Sequence, residues 1–598
     1  MTRLLPVRAR STKAAIGAAA LASVTALTLT GAASPAQSAP TADCPAAVPD
    51  TDLTPGQAVT GLTVSTGTTP DSFTGTVLGV LNDGIAPGVD MIMVRLTSPE
   101  VDRVGIWEGM SGSPVYAEDG RLIGAVSYGL STGPSTVAGV TPAVNMEALL
   151  NGGAGPDAKR FAAKVKLNKA VTKAIVASGA ASAADADQGM SKLRLPVTIS
   201  GMVNSSRLND LAKGLHISGA RVMTGPASVP TSPTYDLAPG GNLAATISFG
   251  DVTVGGVGTV TVVCGSEILG FGHPLNFVGD STYFMHGANA IYVQEDPTLA
   301  GFKVANLGAP SGTVTGDHLA GILGESGDLP EFATATSTTT LGGGAPKSGS
   351  TYIAVQDFVP DIATSELVSN QDVTMDYIGK GSGTMGYDIE GTRQDGTPFS
   401  VTRSDVYSDD FDLSYATAND LANALYSIYY NGSQQVKIDS VTTTSNLDKS
   451  TGTYTVSKVR AFVRGAWRTL SQDSTVVAKA GATKKFHVIL TSPQFGSRNV
   501  TVTLSIPATA HGKSGSVDVF GGNQGSFDEG DIYGDGSSSD APSLDRVIHS
   551  LESAPHHDDV VADMQLYTRF GNPAAHRQAR KSTGHVVNGD FAFGIFIR

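Results

Sequence analysis

The sequence has an acidic charge balance, only two cysteines and no long apolar run beyond its first 39 residues. It carries 40 Lys and Arg residues against 54 Asp and Glu residues, a net charge of −14 at pH 7. Because phosphate contacts need clustered Lys and Arg, this balance argues against nucleic-acid binding. No later segment approaches the roughly 18 to 20 apolar residues of a membrane helix, so we expect no stable membrane anchor.

Cysteine is nearly absent, and Cys44 and Cys264 are the only two. A chain of 598 residues buries enough apolar surface to fold without disulfide reinforcement. In an oxidising exterior the two cysteines can pair; alternatively both are free thiols, with Cys264 buried. We favour the bridge. Neither cysteine is a candidate nucleophile, because no Cys-His signature surrounds it.

Residues 1–39 have the pattern of a secretory signal. Four basic residues are followed by a weakly apolar stretch rich in Ala and Thr, and small residues at 33–39 offer cleavage sites. Removing this segment takes away four basic residues and no acidic ones, which moves the net charge from −14 to −18. We therefore expect a secreted protein, extracellular or associated with the cell envelope.

Glycine is abundant, with 71 residues, while aromatic residues make up 6% of the chain. Together with many Val and Thr residues, this composition is typical of β-sheets joined by tight turns. The length predicts several domains. The expected fold class is therefore mostly β.

The most informative motif is a serine between glycines, Gly109-Met110-Ser111-Gly112-Ser113-Pro114. Glycines allow a tight turn and leave the backbone amides of Gly109 and Ser111 free to bind a developing oxyanion. A chymotrypsin-like peptidase needs this layout, with a proline just before the next strand. The alternative interpretation is an ordinary Gly/Ser hairpin turn.

His273 is the best candidate base among the 11 histidines. It lies in Phe271-Gly272-His273-Pro274, at the end of an apolar run that begins near residue 258. A strand that ends in Gly-His-Pro presents an imidazole on a stiff backbone, which suits a general base. The alternative is a core histidine whose hydrogen bonds are satisfied by the protein.

Taken together, the two segments resemble the SpoIVB-type sporulation serine peptidase family, in particular its long secreted bacterial members. Further blocks resemble the family in the same order between residues 53 and 330, at 54–57, 73–80, 138–142, 302–306 and 312–322. The resemblance implies a serine peptidase that acts on protein or peptide substrates, with Ser111 as nucleophile and His273 as base. It calls for no cofactor and no metal.

The order of the segments differs from that of the sporulation enzymes, in which the histidine segment precedes the serine segment. We therefore predict a chymotrypsin-like or SpoIVB-type β-barrel peptidase unit with reversed order; geometry rather than chain order defines a triad. The family's acidic residue lies shortly before the serine, where this chain has Leu-Thr-Ser at 96–98. Asp102 and Asp251 are the candidates for the third member, and a dyad or a backbone carbonyl are the alternatives.

The predicted organisation places the peptidase domain at 45–340, followed by C-terminal modules without catalytic groups. The peptidase domain comprises a serine segment at 53–150, a connection at 154–187 and a histidine segment at 188–330. Residues 331–350 are a linker or an extended edge, residues 351–510 are a β-sandwich-like region, and residues 511–598 are a Gly/Asp-rich loop with a C-terminal segment. The stretch at 556–559 has metal-ligand residue types, but adjacent side chains rarely converge on one ion. We expect no metal site.

These observations predict a secreted serine endopeptidase. Two other functions remain open: a catalytically inactive cell-envelope binding or scaffold protein that keeps the peptidase fold, and an esterase that uses the same nucleophile. An approach of Ser111 Oγ to a ring nitrogen of His273 within hydrogen-bond reach would favour an enzyme.

Overall fold

The computed structural model describes residues 44–598, apart from 132, 153–163, 218–220, 299 and 525–541. The predicted signal at 1–39 therefore lies outside the described residues. About half of the protein is strand and 18% is helix, so the prediction of a mostly β fold is confirmed. Within the described part of the chain, no helix combines the length and apolarity needed to cross a membrane.

The serine segment forms a closed barrel of six antiparallel strands. They are β1 (Ala58–Thr63), β2 (Asp71–Ala86), β3 (Val89–Thr97), β4 (Pro114–Ala117), β5 (Leu122–Leu130) and β6 (Val137–Pro142). Hydrogen bonds join them in the order β1, β2, β3, β6, β5, β4, and β4 pairs back with β1. Phe73, Val94 and Val126 are among the buried side chains that fill this barrel. Two short strands, β7 (Lys164–Val165) and β8 (Met190–Lys192), continue the sheet from β5.

The histidine segment closes into a second ring of six antiparallel strands. This segment contains β9 (Pro196–Ile199), β10 (Arg221–Thr224), β11 (Asn242–Gly250), β12 (Val254–Cys264), β13 (Glu267–Gly270), β14 (Gly279–Gln294), β15 (Phe302–His318) and β16 (Gly321–Ser326). The ring runs β11, β12, β13, β16, β15, β14 and returns to β11. The ring is therefore closed, and β14 and β15 continue beyond it paired with each other.

Eight helices are described around these sheets. They are α1 (Pro99–Val104), α2 (Ala143–Leu150), α3 (Lys169–Ala177), α4 (Ala183–Asp187), α5 (Ser205–Gly214), α6 (Val359–Met375), α7 (Leu413–Tyr429) and α8 (Leu544–Ser553). α6 and α7 pack against each other as well as against strands, and α5 packs on α6.

The sheet of the second ring extends well beyond the predicted peptidase domain. Its further strands are β17 (Ala333–Leu341), β18 (Lys347–Ile353), β19 (Gly381–Arg393), β20 (Pro398–Asp409) and β21 (Val436–Asp448), with α6 and α7 packed against them. Of the two predictions for 331–350, the linker is wrong, and the extended alternative is correct in its conformation but not in its edge position, since β17 and β18 lie within the sheet. The Thr and Ser residues of this segment alternate between buried and partly exposed positions, as β-branched residues do in strands.

The β-sandwich lies later in the chain than the predicted 351–510. Its strands are β22 (Tyr454–Val463), β23 (Ala466–Thr469), β24 (Thr475–Ala478), β25 (Thr483–Ser492), β26 (Gly496–Ser505), β27 (Ser514–Gly521), β28 (Asp559–Tyr567), β29 (Pro573–Ser582), β30 (Val587–Asn588) and β31 (Asp590–Ile597). One sheet has the order β23, β22, β25, β26, with β30 beside β22. The other has the order β24, β31, β27, β28, β29. Side chains such as Phe486 and Phe593 form the core between the two sheets.

Cys44 and Cys264 form a disulfide, which confirms the favoured pairing. Cys264 ends β12 in the second ring. The segment after Cys44 joins the first barrel, because Val48 N donates to the carbonyl of Leu122 at the start of β5, at 2.8 Å. The disulfide therefore ties the beginning of the first barrel to a strand of the second.

Replacing both cysteines with serine is expected to lower the free energy of unfolding by about 3 to 5 kcal/mol, because the bridge closes a long loop in the unfolded chain. The bridge spans 220 residues. Urea unfolding of the double variant beside the oxidised wild type measures the difference. An unchanged unfolding midpoint would show that the bridge contributes no stability.

Candidate active site

Ser111 lies in the loop between α1 and β4. Gly109 and Gly112 in this loop have φ angles of +95° and +98°, a conformation that residues with side chains rarely adopt. A Cβ atom on Gly112 would lie 2.0 Å from the carbonyl oxygen of Thr259 in β12. The loop therefore reaches β12 of the second ring only because this position is glycine.

Three hydrogen bonds from β12 hold the carbonyl groups of the serine loop. The amide of Thr259 donates to the carbonyl of Ser111 at 2.8 Å, and its hydroxyl donates to that of Gly109 at 3.1 Å. The hydroxyl of Thr261 donates to the carbonyl of Gly112 at 2.7 Å. With their carbonyls fixed on one side, the peptide groups of this loop have a defined orientation.

The amides of Gly109 and Ser111 have no hydrogen-bond acceptor among the described residues, although both residues are buried. An unpaired buried amide costs free energy comparable to a lost hydrogen bond, so two of them in one loop need an explanation. Two adjacent donors beside a serine hydroxyl are what an oxyanion site requires.

His273 follows β13 on a sharply turned segment. Phe271 and Gly272 both have a φ of +66°. The carbonyl of Gly272 accepts a 2.6 Å hydrogen bond from the hydroxyl of Thr141 in β6, which also contacts Ser127 Oγ in β5 at 2.7 Å. The first barrel thus positions the backbone that carries His273.

The structure brings the two predicted residues together. His273 Nε2 lies 2.9 Å from Ser111 Oγ, and His273 Nδ1 lies 2.9 Å from the carbonyl oxygen of Pro274. A carbonyl oxygen only accepts, so Nδ1 carries the ring proton and Nε2 is left to accept from the serine hydroxyl. This is the tautomer that a general base needs.

Burial, together with the nearby Lys192 ammonium, lowers the pKa of His273 to about 3, against an opposing effect of the Pro274 carbonyl. Lys192 Nζ donates to the same carbonyl at 3.1 Å. The ring is therefore neutral at pH 7 and able to accept a proton. Ser111 is 0% exposed and His273 is 1% exposed, so the pair is closed off from solvent in this conformation.

The two predicted candidates for the acidic residue lie elsewhere. Asp102 is an exposed residue of α1 and accepts hydrogen bonds from the hydroxyl of Thr97. Asp251, at the turn between β11 and β12, accepts from the amide of Ser350 at 3.2 Å. Both ring nitrogens of His273 contact other groups. The hydrogen-bond partner of Nδ1 is the backbone carbonyl of Pro274 and not a carboxylate, and a backbone carbonyl was one of the alternatives left open by the sequence.

A different carboxylate, Asp317 at the end of β15, supports the histidine loop. It is fully buried and accepts 2.7 Å hydrogen bonds from the amides of Leu275 and Asn276, with further backbone contacts from the next two residues. Burial raises the pKa of Asp317 against these contacts. Asp317 lies in the block at 312–322 that resembles the family, but no motif indicates its role, because its partners are backbone amides.

Asp251, which is half-buried, lies instead beside the buried Glu366 of α6. A Cβ atom on Gly349 would lie 2.1 Å from Asp251 Oδ2 and 2.6 Å from Glu366 Oε1, so the two carboxyl groups converge there. Glu366 accepts a hydrogen bond from the hydroxyl of Thr351 at 2.6 Å, and its other oxygen is unpaired among the described residues. Burial raises the pKa of Glu366 to about 7, with Asp251 adding to the shift.

Glu366→Gln is expected to stabilise the protein at pH 8 by about 1 to 3 kcal/mol and to change little at pH 4.5. The folded state binds the proton of the Glu366 carboxyl group more tightly than the unfolded chain does. Stability from Glu366 is therefore present at low pH and lost as the pH rises from the ordinary value of 4.5 through about 7. Chemical unfolding of both proteins across that range measures the effect. A difference in unfolding free energy between the two proteins that stayed constant across this pH range would contradict the prediction.

One cluster of possible metal ligands bears on the prediction that the protein has no metal site. Asp405, Asp420 and His557 bring ligand atoms within 4.8 Å of one another. Arg403 lies 2.6 Å from Asp405, and the hydroxyl of Tyr407 donates to Asp420. The cluster thus already contains a cation and internal hydrogen bonds. The sequence shows metal-ligand types only in the adjacent residues at 556–559 and does not reveal this cluster, since its members come from three separate segments.

Comparisons of the chain with models of protein families, with curated proteins and with solved structures find no match, so the function has to be argued from this site.

Proposed function

We propose that this protein is a secreted serine endopeptidase of the SpoIVB type, with two β-barrels arranged like those of chymotrypsin-like peptidases. The observation that carries the proposal is the 2.9 Å contact between Ser111 Oγ and His273 Nε2, which joins residues of different barrels. The histidine tautomer and the two unpaired amides support it. A core histidine or an ordinary hairpin turn would not require these features together.

In the proposed acylation step, Ser111 Oγ attacks the carbonyl carbon of the substrate peptide bond while His273 Nε2 takes the hydroxyl proton. The negative charge that forms on the substrate oxygen accepts hydrogen bonds from the amides of Gly109 and Ser111. When the carbon–nitrogen bond breaks, the imidazolium gives its proton to the departing amine.

Deacylation repeats these roles with water. His273 removes a proton from the water as its oxygen attacks the ester carbon on Ser111. The ester bond then breaks, the serine oxygen regains a proton from the imidazolium, and the second product leaves as a carboxylic acid. No cofactor enters either step.

The surroundings of His273 make this base weaker than that of a complete triad. A neutral carbonyl stabilises an imidazolium less than a carboxylate does, and the nearby Lys192 ammonium opposes the developing positive charge. Asp317 attracts the same ammonium and so partly offsets it. Since Ser111 is fully buried, substrate binding also requires the protein around Ser111 to open. We therefore expect slow turnover.

The burial and the low pKa of His273 favour a second candidate, a catalytically inactive cell-envelope binding or scaffold protein. A fluorophosphonate probe, which forms a covalent bond with an activated serine, distinguishes the two. We expect mass spectrometry of the labelled full-length secreted protein to locate the adduct on Ser111, with labelling absent in Ser111→Ala.

Ser113→Ala is the matched control, because Ser113 Oγ donates to the hydroxyl of Thr63 at 2.9 Å and has a structural role. Labelling should persist in this variant. An unlabelled but folded wild type would establish the scaffold function, and an adduct on Ser113 would refute the assigned nucleophile. If esters are hydrolysed and unfolded protein substrates are not, the enzyme is an esterase.

A further inference from the structure

The β-sandwich contains a strongly basic region in an acidic protein. Residues 454–505 hold eight Lys or Arg residues and a single Asp, a local net charge of +7, whereas the whole chain carries −14. Strands β22, β23, β25 and β26 contain no acidic residue at all. Such an uneven distribution concentrates positive potential on one sheet.

The strand register places part of this charge on one outward face of the sheet. Arg460 pairs with His487, Lys458 pairs with Ile489, and the neighbouring Val459 and Val488 point into the core. Lys485 lies two residues from His487 and therefore shares its face. Lys458 and Lys485 are exposed, so this face is open to solvent.

Aromatic rings lie among these cations. Trp467 stacks on His487 with ring centroids 3.4 Å apart and an interplanar angle of 13°. Phe462 meets Trp467 edge-on at 5.7 Å and is 49% exposed. The only other tryptophan, Trp107, is fully buried. We call this surface the aromatic-cationic face; it consists of Lys458, Arg460, Phe462, Trp467, Lys485 and His487.

We propose that the aromatic-cationic face binds an anionic polysaccharide. Flat aromatic rings pack against the apolar side of a sugar ring, and the three cations match carboxylate or phosphate groups spaced along the polymer. Polar side chains suited to sugar hydroxyl groups continue the face on β26, where Thr501 pairs with His487 and Thr503 pairs with Lys485. Each part of the surface thus has a counterpart in a charged glycan.

Charge density separates this ligand from nucleic acid. A nucleic acid carries a charge on every nucleotide of each strand, and the acidic remainder of the protein repels such a dense polyanion. A glycan with one charge per sugar needs fewer cations and offers hydroxyl groups between them. The two exposed lysines, the half-buried Arg460 and the single stacked platform fit the glycan better.

Binding of the full-length protein to polygalacturonate, which carries one carboxylate per sugar, tests the proposal by calorimetry or affinity electrophoresis. Trp467→Ala and the triple variant Lys458→Gln, Arg460→Gln, Lys485→Gln should each weaken binding by about tenfold or more. The triple change Lys166→Gln, Lys169→Gln, Lys173→Gln is a control that removes the same charge from exposed positions at α3 and just before it. It should leave the affinity within about twofold of wild type.

Circular dichroism and thermal unfolding verify that each variant is folded. Absence of polygalacturonate binding by the wild type would overturn the proposal, as would equal losses in the two triple variants. Binding of polyglutamate or of single-stranded DNA as tight as that of polygalacturonate would show a general polyanion site rather than a glycan site. These outcomes are independent of peptidase activity and can be read on Ser111→Ala protein.

Discussion

Replacing Ser111 with alanine removes the nucleophile and is expected to abolish peptide hydrolysis. Replacing His273 with alanine is expected to reduce kcat by about three orders of magnitude or more. The double variant should be hardly slower than the slower single variant. The reason is that the 2.9 Å contact makes the two side chains one functional unit, and the loss of either disables the same proton transfer.

Steady-state hydrolysis of one peptide substrate by the four proteins checks this expectation, after circular dichroism has established that each is folded. Ser113→Ala serves again as the control with substantial activity. If His273→Ala retained turnover close to wild type, another group would have to be the base. Additive losses in the double variant would show that the two residues act separately.

Asp317→Asn should reduce kcat by about one hundredfold with a smaller change in KM, because displacing a reacting group by about 1 Å costs that much. The carboxylate holds two amides of the loop that follows His273 at 2.7 Å, and an asparagine keeps only one accepting oxygen. The loop also supplies the Pro274 carbonyl that fixes the imidazole tautomer. Asp317 is thus a positioning residue.

Asp102→Asn and Asp251→Asn are the matched controls, since they make the same chemical change at the two positions indicated by the sequence. We expect both to retain kcat within about threefold of wild type. A loss of kcat in Asp251→Asn as large as that in Asp317→Asn would restore Asp251 as a member of the site. If the loss of kcat in Asp317→Asn were accompanied by a comparably large loss of thermal stability, Asp317 would have only a structural role.

The sequence could predict the β-rich fold, the disulfide and the proximity of Ser111 to His273, because each has a local signal. The serine lies in a glycine-flanked turn, and the histidine follows an apolar strand. It could not reveal the surroundings of His273. Pro274 acts through its backbone carbonyl, Lys192 comes from a short strand of the other barrel, and Asp317 binds backbone amides.

The amino-acid composition could not predict the extent of the sheets either. Residues 331–350 are rich in Thr, Gly and Ser, which also characterise linkers. They form a hairpin of β17 and β18, and this hairpin joins the sheet by pairing with β11 and with β21, which lies more than a hundred residues later. Pairing over such a distance leaves no local pattern. The sandwich was predicted too early in the chain for the same reason.

The disulfide has a consequence for a chain that is cut. Ser111 and His273 lie on different barrels, and the bridge from Cys44 to Cys264 encloses 220 residues that include the whole passage from one barrel to the other. A single nick anywhere in that interval would give two polypeptides that stay covalently joined, with nucleophile and base still on one molecule. Under oxidising conditions the nicked protein would migrate as one species, and only a reductant would release its two fragments.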